Sequence, residues 1–157
     1  MPIRIDIVRH ATAEPRGPHG DATRALDSNG RAAADVLGAE LGAIGWRPQC
    51  VWASPYVRAQ QTARRVLAAA RVDVRVAAAR ELEPENDPAG VTAWLAAVAD
   101  GAAHIALFSH QPLVGRLVGD WTGTLLAGVA TGELFGVEFE RAPGSRAGRI
   151  VTHYSAH

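Results

Sequence analysis

Three short stretches read as strands, Ile3–Val8 with its apolar run Ile5–Val8 interrupted only by Asp6, Cys50–Ala53 and Ile105–Phe108; each ends in polar residues, and a segment of helical character comes later in the chain, after a loop in the first case. Runs of four to eight apolar residues suit strands buried on both faces, and strands that alternate with helices build a mostly parallel sheet. The expectation is therefore an α/β fold. A chain of 157 residues with 48% hydrophobic and 20% charged content is the size and composition of one domain with a real core, spanning residues 1–157.

The remaining elements follow from local signals. Pro15 to Thr23 is a loop rich in Gly, Pro and charge. Ser28 or Asn29 is placed to cap a helix that runs to about Ile44, where Gly45 and Pro48 end it. Ser54-Pro55 reads as an N-cap followed by proline at the first helical position, with a helix to about Ala70. Val72 to Val76 alternates like a strand. Asp87-Pro88 opens a helix holding Trp94 and Leu95, and Pro112 opens another holding Leu117 and Trp121. Strands near Leu134–Phe139 and Arg149–Tyr154 close the chain.

Net charge is zero, so nothing favours a nucleic-acid backbone or an anionic membrane, and any anion must be recognised locally. Cys50 is alone, which excludes an intrachain disulfide and fits a reducing compartment; it is expected in the core rather than in chemistry. The first residues carry Arg4, Asp6 and Arg9, unlike a secretory signal, and no apolar run is long enough for a bilayer. A cytoplasmic protein is expected. All sixteen basic residues are arginine, so a single arginine carries little weight by itself.

The strand ends carry the functional signal. The first ends in Arg9-His10, the second in Ser54-Pro55-Tyr56-Val57-Arg58, the third in Ser109-His110-Gln111-Pro112. In a parallel sheet these ends share one edge, and ligands of open α/β sheets bind there. Arg58 falls in the first turn of its helix, where a long side chain leans back toward that edge. Arg9, His10, Arg58 and His110 would then meet beside helix N-termini, an arrangement suited to a tetrahedral dianion. Taken singly, each has a bland reading: a solvated strand end, a cap, a helix-surface arginine, a loop histidine. Their joint occurrence at one edge is what points to phosphate. No two histidines sit at metal-ligand spacing with a carboxylate or cysteine helper, so no metal and no cofactor is expected.

These stretches also resemble a known family. Val8-Arg9-His10-Ala11-Thr12-Ala13 is similar to the Arg-His-Gly/Ala signature of the histidine phosphatase superfamily. Leu26-Asp27-Ser28-Asn29-Gly30-Arg31, Ala53-Ser54-Pro55-Tyr56-Val57-Arg58-Ala59-Gln60-Gln61-Thr62-Ala63 and Ser109-His110-Gln111-Pro112-Leu113-Val114-Gly115 resemble its other segments, in order along nearly the whole chain. The short length resembles the bacterial phosphohistidine phosphatases of the SixA-like branch. The resemblance implies a phosphoglycerate mutase-like, three-layer αβα sandwich. It implies His10 as a nucleophile that forms a phosphohistidine intermediate, Arg9 and Arg58 as phosphoryl ligands, and His110 as a donor to the same oxygens. Arg24 matches an arginine that the short branch places near the pocket.

One departure bears on substrate. Where the family carries a general acid, the stretch Arg80-Glu81-Leu82-Glu83-Pro84-Glu85 presents Pro84, flanked by Glu81, Glu83 and Glu85. An alkoxide leaving group gains about 10²–10⁴-fold from a general acid. Imidazole, whose conjugate acid has a pKa of about 6.5, departs with little help. The expected substrate is therefore a protein phosphohistidine, in a phosphorelay for instance. The alternatives are a small-molecule phosphomonoesterase with Glu81 or Glu83 as acid, and a non-catalytic phosphate or phosphoprotein binder. Mutase activity calls for a lid, and the short connections leave little chain for one. The partner is thus a phosphorylated protein or small molecule, with no nucleic acid and no membrane. His153 and His157 are expected to belong to a polar tail.

Overall fold

The structure, a computed structural model, describes residues 1–99 and 101–155. Among the described residues six strands form one sheet: β1 (Ile3–Arg9), β2 (Cys50–Ala53), β3 (Val76–Ala78), β4 (His104–Ser109), β5 (Leu134–Phe139) and β6 (Gly148–Tyr154), in the order β3-β2-β4-β1-β5-β6. The pairs β2–β3, β2–β4 and β1–β4 are parallel, whereas β5 runs antiparallel to both β1 and β6. The sheet is thus mixed, with β5 as the reversed strand. His153 lies in β6, not in a tail; His157 lies outside the described residues.

Helices α1 (Ser28–Ala43), α2 (Val57–Ala70), α3 (Pro88–Val98) and α4 (Leu113–Thr122) cover the two faces. Alternation along the strands sorts the core. Ile5, Ile7, Ile105 and Leu107 pack with Val91 and Leu95 of α3 and with Leu113, Leu117 and Trp121 of α4. Val8, Ala106, Phe108, Val51 and Ala53 pack on the other face with Leu37 and Leu41 of α1 and Ala63 and Val66 of α2. The result is the αβα sandwich. No helix among the described residues is long and apolar enough to cross a membrane. Cys50 is half-buried and packs against the first of these clusters.

Three local expectations need correction. The cap of α1 is Asp27, whose carboxylate accepts from Gly30 N–H at 2.7 Å; Ser28 and Asn29 are already helical. A side chain at Gly30 would meet Thr12 O at 1.9 Å, so the start of α1 lies hard against the segment that follows His10. Helix α2 starts at Val57 with Tyr56 at its N-cap, which frees Ser54 from capping. The third strand forms at Val76–Ala78 rather than Val72–Val76, because Val72 N–H still closes the end of α2 on Leu67 O at 3.0 Å.

Candidate active site

Strands β2, β4 and β1 are neighbours, all parallel, and their carboxyl ends are level. Arg9 pairs with Ser109 and Ala53 with Phe108, and the ladder runs one residue further through His10 N–H to Ser109 O at 2.9 Å and Ser54 N–H to Phe108 O at 3.0 Å. His10, Ser54 and His110 therefore leave the sheet side by side. The His10 and His110 rings stand 5.1 Å apart between centroids. Arg58, in the first turn of α2, reaches back as its helical position requires and donates through Nε to His10 Nε2 at 3.3 Å. The register of three strands and one helical turn thus brings His10, Arg58 and His110 together. Arg9 stands next to them, its guanidinium donating to Val129 O at 2.7 Å.

The hydrogen bonds of His10 define its tautomer. Its Nδ1 lies 2.7 Å from Ala11 O, and a carbonyl oxygen only accepts, so Nδ1 carries the proton. Nε2 then holds the lone pair, consistent with its accepting from Arg58. Burial pushes the His10 pKa down to about 4; the Ala11 bond opposes this, and Arg58, Arg9 and Arg24 add to it. The charge of the arginines is the smaller cause. His110, 1% exposed, is pushed down to about 3 by burial first and then by His10 and Arg58. The Arg9 guanidinium is also lowered, by burial and then by Arg58.

Both imidazoles are therefore neutral at physiological pH. Proton NMR titration of the native protein should find His10 near 4 and His110 near 3, with neither midpoint near 6.5. The linkage has a definite sign. An unfolded chain takes up protons near 6.5, whereas the folded site does so only near 4 and 3. The stability contributed by the neutral site is complete above about pH 6.5 and falls as pH drops from there toward 4. Denaturant midpoints taken across that window should decline with acidity, and less so in His10→Ala.

Several neighbours were not legible as site residues. Ser54, fully buried, places its hydroxyl 2.8 Å from His110 Nε2 and accepts from Tyr56 N–H at 3.2 Å. The Tyr56 ring meets His110 edge-on at 4.8 Å and lies 5.0 Å below the Arg58 guanidinium carbon. Thr62 joins α2 to the segment after β1: its hydroxyl donates to Arg58 O at 2.7 Å and accepts from Ala11 N–H at 3.0 Å. Asp21 comes from the loop between β1 and α1. Its main-chain oxygen and carboxylate take Arg58 NH1 at 2.7 Å and NH2 at 3.1 Å, and its other carboxylate oxygen takes Arg24 NH1 at 2.9 Å. The bond from Arg24, more than that from Arg58, holds the Asp21 carboxyl below its usual range. Arg24 is thus beside the site, fixed also by Nε to Glu14 O at 2.7 Å. The only sequence signal for Asp21 was its position three residues before Arg24.

The acidic loop sits at the margin. Ser109 Oγ donates to Leu82 O at 2.6 Å and so ties this loop to the end of β4. Glu81 and Glu83 are half-buried and Glu85 is exposed. Among the described residues, no hydrogen bond or ion pair joins any of the three carboxylates to Arg9, His10, Arg58 or His110. Nor does any group of three or more His, Cys, Asp or Glu side chains among them stand close enough to hold a metal ion.

Comparison with known proteins agrees with this geometry. Residues 5–83 match the model of the histidine phosphatase superfamily (branch 1). Phosphohistidine phosphatase SixA of Escherichia coli (strain K12) is 30% identical over 119 residues, which are 75% of this chain and 73% of that protein. The solved structure of the protein histidine phosphatase SixA complexed with tungstate superposes with a TM-score of 0.87 at 27% identity, over 98% of this chain and 97% of that one. A putative phosphohistidine phosphatase SixA from Agrobacterium tumefaciens shares the fold, with a TM-score of 0.80 at 20% identity over 99% of both chains. The chain is a phosphatase hydrolase that belongs to the histidine phosphatase superfamily.

Proposed function

We propose that residues 1–157 act as one domain that removes phosphate from protein phosphohistidine through a covalent intermediate on His10. The observation that carries this reading is the tautomer of His10. A buried imidazole with its proton committed to Ala11 O presents an unprotonated Nε2 at the focus of the arginines. Phosphoryl transfer asks chiefly for positioning and charge stabilisation, and Arg9, Arg58 and Arg24 supply both.

In the first step His10 Nε2 attacks phosphorus. The bond from phosphorus to the substrate imidazole breaks, and its electron pair returns to that nitrogen. The proton on the far nitrogen makes the leaving group a neutral imidazole. In the second step water attacks the phosphoryl group on His10, the new P–N bond breaks with its electron pair returning to His10 Nε2, and both protons of the water leave on inorganic phosphate as the dihydrogen phosphate anion. His110 is the group beside His10 suited to donate to the phosphoryl oxygens, with Ser54 holding its Nε2. Neither step needs a carboxylic acid, in keeping with Glu81, Glu83 and Glu85, none of which has a hydrogen bond or ion pair to the four site residues among the described residues. The name of the Escherichia coli relative supports the same substrate class.

Side-by-side rates on a phosphohistidine-bearing protein and on an alkyl phosphomonoester test this. Phosphohistidine should turn over faster by about 10²-fold or more, the scale of general-acid help that the ester lacks. Sugar phosphates hydrolysed faster than phosphohistidine would overturn the reading. They would favour a phosphomonoesterase that recruits Glu81 or Glu83, half-buried in the loop tied to Ser109.

A further inference from the structure

Glu133 is a carboxylate that the chemistry above does not use, yet it is 8% exposed. A buried charge is costly unless it is fully partnered. Here both oxygens are engaged: Oε1 accepts from Ala130 N–H at 2.7 Å, and Oε2 lies 2.6 Å from His153 Nε2 on the last strand. The imidazole is itself held, stacked on Phe135 with centroids 4.5 Å apart and an interplanar angle of 11°.

What this arrangement fixes is the turn from Val129 to Glu133. Glu133 N–H returns to Ala130 O at 3.2 Å, so the turn is closed by its own backbone and by the carboxylate together. Gly132, at φ 77, sends its N–H to Arg9 O and His10 O, both at 3.0 Å, and Arg9 N–H meets Glu133 O at 3.0 Å. The turn also supplies Val129 O to the Arg9 guanidinium at 2.7 Å. Among the described residues that carbonyl is the only protein acceptor for the guanidinium, whose Nε is buried without a partner. The aim of the Arg9 fork thus depends on where Val129 O stands.

We propose that Glu133, clamped by His153, is a positioning residue for the phosphoryl clamp: it locks the 129–133 turn so that Val129 O aims Arg9 at the phosphoryl group. The inference rests on Arg9 as a phosphoryl ligand. A fork misplaced by about 1 Å costs up to about 10²-fold in a positioned reaction, so the effect is measurable without any loss of fold.

The test uses the full chain and orthovanadate as a phosphate analogue. Affinity is measured for Glu133→Ala, Glu133→Gln, His153→Leu, Arg9→Lys and the pair Arg9→Lys with Glu133→Ala, with kcat and KM for the single variants. Glu133→Ala should weaken vanadate binding about tenfold or more per folded molecule. Glu133→Gln, which keeps an acceptor for Ala130 N–H, should recover most of it. His153→Leu, at a half-exposed position, should give a smaller loss in the same direction. In the Arg9→Lys background Glu133→Ala should add little, because two residues acting through one contact are not additive. Unchanged vanadate affinity in Glu133→Ala overturns the proposal, as does a loss that adds in full to that of Arg9→Lys or that only tracks the unfolded fraction. If Arg9→Lys itself leaves affinity untouched, the role of Arg9 fails, a result separate from the failure of Glu133.

Discussion

His10→Ala should lower turnover of phosphohistidine by at least about 10³-fold while the protein stays folded and keeps much of its affinity for vanadate. Loss of a nucleophile costs on this scale or more, because the residual rate rests only on binding and electrostatics. The fold should survive. The main chain of His10 is held by its N–H on Ser109 O and its carbonyl on Gly132 N–H, neither of which involves the ring. Removing a buried neutral imidazole also removes a group whose proton uptake favours unfolding below pH 6.5. Affinity should persist if Arg9 and Arg58 hold the charge, as proposed. The companion measurement is trapping of the intermediate: wild type quenched in alkali, where phosphohistidine survives, should carry phosphate on His10, and His10→Ala should carry none. Turnover by His10→Ala at the wild-type rate would exclude covalent catalysis at this residue and leave a binder with an adventitious activity.

The parts of this site that could be read from sequence are those fixed by strand ends. Apolar runs locate β1, β2 and β4, and parallel pairing makes their next residues neighbours, so His10 and His110 could be brought together from residue order alone. Arg58 followed from helical geometry. What escaped was set by contacts that local patterns do not encode. Ser54 looks the same whether its hydroxyl caps a helix or holds His110; only the start of α2 at Val57 decides. Asp27 and Ser28 are both good caps, and the choice depends on which of them reaches Gly30 N–H. Val72 to Val76 alternates, but its first residue is consumed in closing α2. The mostly apolar run Leu134–Phe139 is compatible with either strand direction, and its reversal comes from pairing with β1 and β6. Asp21 gives no signal beyond its spacing to Arg24, because Arg24 and Arg58 are drawn together on it only in the folded loop. That loop furnishes the carboxylate that orients the arginine beside His10. Glu133 and His153 are twenty residues apart and meet only across the β5–β6 pair.

Arg58→Ala should reduce kcat by about 10²–10³-fold, the cost of removing one preorganised donor to a developing charge. Arg58→Lys should recover little of it. The guanidinium makes three directed bonds at once, through Nε to His10 Nε2, NH1 to Asp21 O and NH2 to Asp21 Oδ2. A lysine carries its charge on one nitrogen and cannot satisfy three acceptors arranged around a planar fork. The substitution would leave the main-chain oxygen of Asp21 or the His10 lone pair without its donor. The second readout separates position from charge. Arg58 is one of the cations that lower the His10 pKa, but burial is the larger cause. Arg58→Ala should therefore raise the His10 titration midpoint above about 4 and leave it below 6.5. In Arg58→Lys the midpoint should stay closer to the wild-type value while kcat remains low. A kcat near wild type in Arg58→Lys would mean that charge alone suffices, and that the fork geometry around Asp21 and His10 has no part in the chemistry. A midpoint of 6.5 in Arg58→Ala would mean that the arginine, rather than the buried end of β1, keeps His10 ready to attack.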